Sequence, residues 1–245
     1  MLMKESRISA GSYDLNRFLS GGYETDIITT IYGPAGCGKT NLCMLAAVSQ
    51  AKKGKKVIFI DTEGGFSVDR FKQISLDNYE ETLKNILLLK PTSFNEQKKV
   101  FDSLLKEIKK PNIGLIIVDG MTMLYRLEIG DARKEGDEGK IHATNKELAQ
   151  QLRTLSEISR NQSIPILVTN QVYYDFLSED DYRDKKERTA KMVGGDLLKY
   201  WSKCLIELKN ESGKRTLYLR KHRSLPEKEL QFIIDNQGIR RRGFF

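Results

Sequence analysis

Eight consecutive residues, Gly33-Pro34-Ala35-Gly36-Cys37-Gly38-Lys39-Thr40, fill the pattern G-x-x-x-x-G-K-[ST]. Glycines at that spacing let the backbone bend until successive N–H groups face one anion. A helix that starts where the run ends points its positive dipole end at the same place. The Lys39 ammonium can then reach β- and γ-phosphates, and the Thr40 hydroxyl can ligate Mg2+. This chemistry requires a strand entering the loop and a helix leaving it. "DIITTIYG" has the make-up of a buried strand, and "GKTNLCMLAAVSQAKK" sets Leu42, Leu45, Ala46 and Val48 near one helical face.

Three more polar residues stand at the ends of apolar runs. Asp119 closes "LIIVD", the Walker B form, and a carboxylate at a strand end can hold Mg2+ directly or through water. Glu63 lies just past "KKVIFID"; a carboxylate within reach of a water in line with the γ-phosphate can serve as general base. Asp61 is its rival for that role, and an ordinary capping or surface glutamate is the plainer alternative. Gln171 follows "ILVTN", where an amide can sense a γ-phosphate or simply satisfy a strand end. In a parallel sheet all of these ends fall on the edge that carries the phosphate loop.

The elements that must position them alternate between strand and helix, which predicts an α/β fold with a mostly parallel twisted sheet flanked by helices. "NILLLKP" is a short apolar run stopped by Pro91. "SFNEQKKVFDSLLKEIKK" opens on a capping box, Ser93 with Glu96, and carries Phe94, Phe101, Leu104, Leu105 and Ile108 at helical spacing. "EIGDARKEGDEGK" reads as a polar, glycine-containing loop, with a helix resuming at "TNKELAQQLRTLSEISRN". Beyond Trp201, "SKCLIELKN", "KRTLYLRKH" and "ELQFIID" read as consecutive strands joined by "ESG" and "NQG", an antiparallel extension at the C-terminal edge. The expected organisation is one domain over residues 1–245.

Hydrophobic residues make up 39% of the 245 and charged residues 30%, the balance of a soluble globular chain. No apolar run approaches the ~18 residues of a membrane span, and the first residues lack a signal-peptide core; the expectation is a cytoplasmic protein with no membrane partner. Cys37, Cys43 and Cys204 form no C-x-x-C pair and only two histidines accompany them, which argues against structural zinc and a disulfide framework, and Cys37 and Cys43 read as small packing residues. The net charge of +8 is concentrated late: from Trp201 onward there are eleven basic residues against five acidic ones. That asymmetry suggests an anionic partner without proving one. "RKHR" and "RRRGFF" read either as phosphate contacts or as exposed ends.

With these strand ends in this order, the chain resembles the RecA-fold recombinases, most closely the archaeal paralogue within the RecA/RadA family. The resemblance is carried by "GPAGCGKTNL", "FIDTEGGFSVDRF", "LIIVDGMTMLYR", "ILVTNQVY" and "VGGDLLKYWSKCLIELKN". It implies a RecA-type P-loop NTPase core with ATP and Mg2+ as cofactors. It also implies Glu63 as catalytic base, Gln171 as γ-phosphate sensor leading into a DNA-facing loop, and Arg70 of "FSVDR" near the adenine. Where the family usually has a small hydroxyl residue after the Walker B aspartate, this chain has Gly120. The core begins almost at Met1, and no F-x-x-A precedes the P-loop. The resemblance therefore implies an accessory factor of recombination and repair that binds DNA and hydrolyses ATP weakly, with a recombinase or a junction-processing nuclease as candidate partner.

Between Val172 and Val193, the aromatics Tyr173 and Tyr174 and the cations Lys185, Lys186 and Arg188 form the mixture expected of a loop that binds single-stranded or branched DNA. Asp175, Glu179, Asp180, Asp181, Asp184 and Glu187 dilute it, so a solvated charged loop stays open as the alternative. Two other functions share the phosphate loop. A KaiC-like regulatory ATPase needs no nucleic-acid contact after Gln171. A small-molecule phosphotransferase needs an acceptor pocket and an arginine-bearing lid, and no segment reads clearly as either.

Overall fold

The computed structural model describes residues 6–76, 78–174 and 190–243. The apolar runs form β3 (Ile28–Gly33), β4 (Lys56–Asp61), β5 (Ile86–Leu89), β6 (Ile113–Asp119) and β7 (Ile166–Tyr174). Between them lie α2 (Lys39–Lys52), α3 (Val68–Ser75), α4 (Tyr79–Leu83), α5 (Phe94–Glu107), α6 (Met123–Glu135) and α7 (Glu138–Gln162). A short ribbon of β1 (Arg7–Ile8) and β2 (Tyr23–Glu24), with α1 (Tyr13–Phe18) between its strands, precedes them. After β7 come β8 (Ala190–Met192), α8 (Gly195–Trp201), β9 (Cys204–Glu211), β10 (Lys214–Lys221), β11 (Lys228–Asp235) and β12 (Gly238–Arg241).

Nine of the described strands run in the order β12-β11-β10-β9-β3-β7-β6-β4-β5, and β8 pairs with β7. Pairing is parallel from β9 through β5 and antiparallel from β9 to β12, as the sequence predicts. The central strands are buried on both faces, which is why they read as unbroken apolar runs. In β4 and β6 the side chains alternate between two cores: Val57, Phe59, Leu115 and Ile117 pack with α2 and α3, while Ile58, Ile60, Ile116 and Val118 pack with α5 and α7. Burying one such side chain contributes about 1.5–3 kcal/mol, so these two layers fix the sheet. In β10 only Leu217 and Leu219 turn inward, as befits strands covered on one face.

One expectation is overturned. The segment "EIGDARKEGDEGK" is not a loop: α6 runs through Glu135, and α7 begins at Glu138. Only Gly136 and Asp137 separate them. Gly136 ends α6 in the left-handed region, at φ 69°, and Asp137 caps α7 by accepting the Lys140 N–H at 2.8 Å. Ile129 and Ala132 are buried, and Lys140 pairs with Glu128 and Glu135 across the break. The polar residues are the solvent face of two packed helices.

Candidate nucleotide site

Strand register assembles the site. Gly33 on β3 pairs with Gln171 on β7, and Asp61 on β4 pairs with Asp119 on β6. Since β7 and β6 lie between β3 and β4, the phosphate loop, Gln171, Asp119 and Glu63 follow one another along a single sheet edge. This is the edge at which parallel α/β sheets bind ligands.

The loop itself is drawn tight around Lys39, whose ammonium donates to the carbonyls of Gly33 at 3.1 Å and Pro34 at 2.9 Å. Gly38 enters α2 at φ 110°, and a Cβ there would stand 2.8 Å from Ile234 Cδ1, so the β11–β12 hairpin closes one side of the loop. Beside Gly36, by contrast, a Cβ would meet nothing within 4 Å, which leaves open space in front of the bend. Pro34 and Ala35 span the turn between Gly33 and Gly36. Cys37 and Cys43 are buried, and burial pushes both thiols up, consistent with packing residues.

Thr40 Oγ1 donates to Asp119 Oδ2 at 2.7 Å, which places the hydroxyl and the carboxylate expected at a metal side by side. Thr169 Oγ1 donates to the other carboxylate oxygen at 2.6 Å and accepts the Gly120 N–H at 2.7 Å. Burial raises the Asp119 pKa above the usual carboxylate value; the Thr169 and Thr40 hydrogen bonds oppose that rise, and the nearby charges of Glu63 and Asp61 add to it. A hydroxyl and a carboxylate are hard oxygen ligands suited to Mg2+, which normally takes few protein ligands and completes its shell with water and phosphate. No group of three or more metal-ligating His, Cys, Asp or Glu residues occurs among the described residues, so water and phosphate would complete the shell.

Glu63 is the carboxylate presented to this edge. Its Oε2 accepts from Gln171 Nε2 at 3.0 Å, and its Oε1 is buried without a hydrogen-bond partner. An unpaired buried carboxylate oxygen costs about 1–3 kcal/mol or more, so it calls for a donor such as water. Asp61 is otherwise engaged: its two oxygens accept the Gly65 and Phe66 N–H groups at 3.1 and 3.0 Å, forming the turn that carries Glu63. Arg70 sits further out, donating to Asn41 Oδ1 at 2.7 Å and Gln73 Oε1 at 2.9 Å, with the Asn236 carbonyl at 3.5 Å. It thus bridges the first turn of α2 to the β11–β12 turn.

Thr169 and Thr62 were not singled out in the sequence. Thr62 Oγ1 faces the carbonyls of Asp119 and Gly120 at 3.0 and 2.7 Å, locking the strand-end loop. The signal was present for Thr169: residues 169 and 171 share one face of an alternating strand. Tyr173 is half-exposed near the end of β7, and β8 returns antiparallel with Val172 opposite Met192. Tyr174 ends β7, while Lys185, Lys186 and Arg188 lie outside the described residues.

A phosphate-loop strand edge on a RecA-type sheet defines a class, and the Rad51 family matches residues 3–242: the chain belongs to that family. Among its relatives is the protein named DNA repair and recombination protein RadB of Methanobrevibacter smithii, 38% identical over 230 residues and covering 92% of each chain. The RadB of Methanococcus maripaludis strain C7 is 40% identical over 226 residues, covering 92% of this chain and 96% of the relative. That of Methanocaldococcus jannaschii is 38% identical over 225 residues, covering 92% and 98%. The archaeal paralogue that the sequence resembles is therefore RadB. No helix among the described residues is long and apolar enough to cross a membrane.

Proposed function

We propose that this chain is a Mg2+-dependent ATPase of the recombination machinery, one RecA-like domain that binds single-stranded or branched DNA and turns ATP over slowly. It acts in the cytoplasm beside a recombinase or a junction-processing nuclease. The observation that carries the reading is the convergence of Lys39, Thr40, Asp119, Glu63 and Gln171 on one sheet edge. The name shared by the relatives, DNA repair and recombination protein, supplies the pathway.

In this reading the backbone N–H groups of Gly33–Thr40 cradle the triphosphate, and Lys39 exchanges its carbonyl partners for phosphate oxygens. Thr40 and Asp119 hold Mg2+, which when bound neutralises phosphate charge. Glu63 Oε1 accepts a proton from water, and Gln171 holds the opposite oxygen so that the carboxylate keeps its aim. Because Gln171 begins the segment that runs to Tyr173 and Tyr174, any shift of its amide passes directly into the proposed DNA loop of Lys185, Lys186 and Arg188. Arg70 borders the base from the α2 side.

Replacing Glu63 by Gln keeps the shape and the Gln171 contact but removes the basic oxygen. Hydrolysis is expected to fall by about 10²- to 10⁴-fold with nucleotide affinity retained, whereas Lys39→Ala should lose nucleotide binding itself. Phosphate release and fluorescent-nucleotide titration measure the two. Equal turnover in wild type and Glu63→Gln removes Glu63 from the mechanism. Failure of wild type to bind single-stranded or branched DNA at low salt, with and without ATP, defeats the DNA role.

A further inference from the structure

Several cations on and beside the antiparallel edge are paired with carboxylates. Arg220 is closed on Glu207 at 2.6 Å, Arg240 on Asp235 at 2.6 Å, and Arg223 on Asp26 and Glu24 at 2.6 and 2.8 Å. Arg17 in the last turn of α1, Lys214 opening β10, Lys228 opening β11, Arg241 ending β12 and Arg242 after it have no carboxylate at ion-pair distance among the described residues. Those five unpaired side chains line one open cavity of about 660 Å3.

The cavity is held by specific contacts. Ser12 Oγ donates to the Ile239 carbonyl at 2.6 Å, docking α1 on β12. The Arg241 N–H donates to Asp14 Oδ2 at 2.7 Å, the Arg242 N–H donates to the Gln231 carbonyl at 2.9 Å, and Lys228 Nζ stands 5.2 Å over the Phe18 ring. Asp14, engaged by that backbone N–H, and Glu229 are the acids in the lining. Five cations against two carboxylates leave the groove with an uncompensated positive field, which an anion with several charges relieves.

We propose that this groove binds the phosphodiester backbone of a nucleic acid without reading its bases. The inference rests on the DNA-binding reading above and adds a second contact surface to it. Guanidinium and ammonium donors match phosphate oxygens. The aromatic ring in the lining, Phe18, is 7% exposed and lies under Lys228, so it gives bases no face to stack on. Leu230 is likewise buried, which leaves an acidic peptide no apolar anchor. The groove lies away from the segment that follows Gln171: β11 stands four strands from β7, roughly 20 Å at the usual strand spacing.

The test uses the full chain and labelled DNA of mixed sequence, bound over a potassium chloride series. The variant Lys214→Ala/Arg241→Ala/Arg242→Ala removes three phosphate contacts, so the slope of log affinity against log salt should become shallower by about 2 to 3. Arg240→Ala, whose cation is already paired, should leave the slope unchanged, and Arg241→Lys/Arg242→Lys should retain it because charge is kept. Melting temperature and DNA-independent ATP hydrolysis, read on the same preparations, should not move. If wild type binds and the triple variant matches it in affinity and slope, the groove is wrong and the DNA reading stands. If wild type does not bind, both fall. If polyglutamate displaces DNA as well as unlabelled DNA does, the groove is a site for an acidic protein and the proposal is overturned.

Discussion

Gly120 holds a left-handed backbone conformation that glycine adopts freely and a side chain does not. It follows the Walker B carboxylate at φ 88°, and a Cβ added there would stand 2.4 Å from Thr62 Oγ1 and 2.6 Å from Glu63 Cγ. The family's usual hydroxyl residue is therefore incompatible with the position Glu63 takes in this chain. Hydroxyls arrive from elsewhere: Thr169 on the Asp119 carboxylate, and Thr62 on the carbonyls behind it. Gly120→Ala should thus do two things. Left-handed strain and the clash together cost about 1–3 kcal/mol, which thermal melting reads. The displaced Glu63 should also slow ATP hydrolysis, whereas Gly130→Ala, with nothing near its added Cβ, should do neither. A Gly120→Ala protein that melts and turns over like wild type would show that the loop relaxes freely. In the sequence, Gly120 was visible only as a departure from pattern; the reason for it lies in side chains brought in from β4 and β7.

At the level of elements, helix termini decide what composition leaves ambiguous. Ser93 accepts the Glu96 N–H at 3.2 Å, so the cap of α5 was legible from four residues. The reciprocal half differs: Glu96 Oε2 accepts from the Thr92 N–H at 2.7 Å and from the Thr92 hydroxyl at 2.8 Å, one residue earlier than a capping box places it. Between α6 and α7 the local signal misled, because glycines and charges dominate "EIGDARKEGDEGK" while its helical pattern depends on Ile129 and Ala132 meeting a neighbouring helix. Asp137→Ala removes the cap of α7 at about 1 kcal/mol, which corresponds to a fall in melting temperature of about 2–4 °C for a chain of this size. An unchanged melting temperature would mean that the helix–helix contact alone holds the break.

At the scale of the whole molecule, a cluster around Glu24 helps fasten the N-terminal ribbon to the antiparallel edge. The His222 side chain is 2% exposed, its Nδ1 accepts the Ser224 and Leu225 N–H groups at 3.1 and 3.2 Å, and its Nε2 lies 3.7 Å from Glu24, which also pairs with Arg7 and Arg223. Burial pushes the His222 pKa below its ordinary value; Glu24 opposes this, and Arg7, Arg223 and Lys228 add to it. The unfolded chain takes up that proton near pH 6.5 and the folded one only at lower pH. Stability from this group is therefore complete above the unfolded value and is lost as pH falls through the folded one. Melting temperature should drop as pH falls below about 6.5, and His222→Gln should flatten that part of the profile; parallel profiles would clear His222 of the effect. None of this junction was legible in the sequence, since Arg7, Glu24 and His222 are far apart along the chain. What the sequence settled by itself was the parallel sheet with its antiparallel C-terminal extension, the phosphate loop and the three polar residues at the strand ends, because each depends on spacing over a few residues. Tertiary structure alone decided that Asp61 caps a turn while Glu63 faces Gln171, that Thr169 bonds Asp119, and that unpaired cations from α1, β10, β11 and β12 share a groove. Those outcomes depend on register between strands distant in sequence, and local propensity carries no information about such pairings.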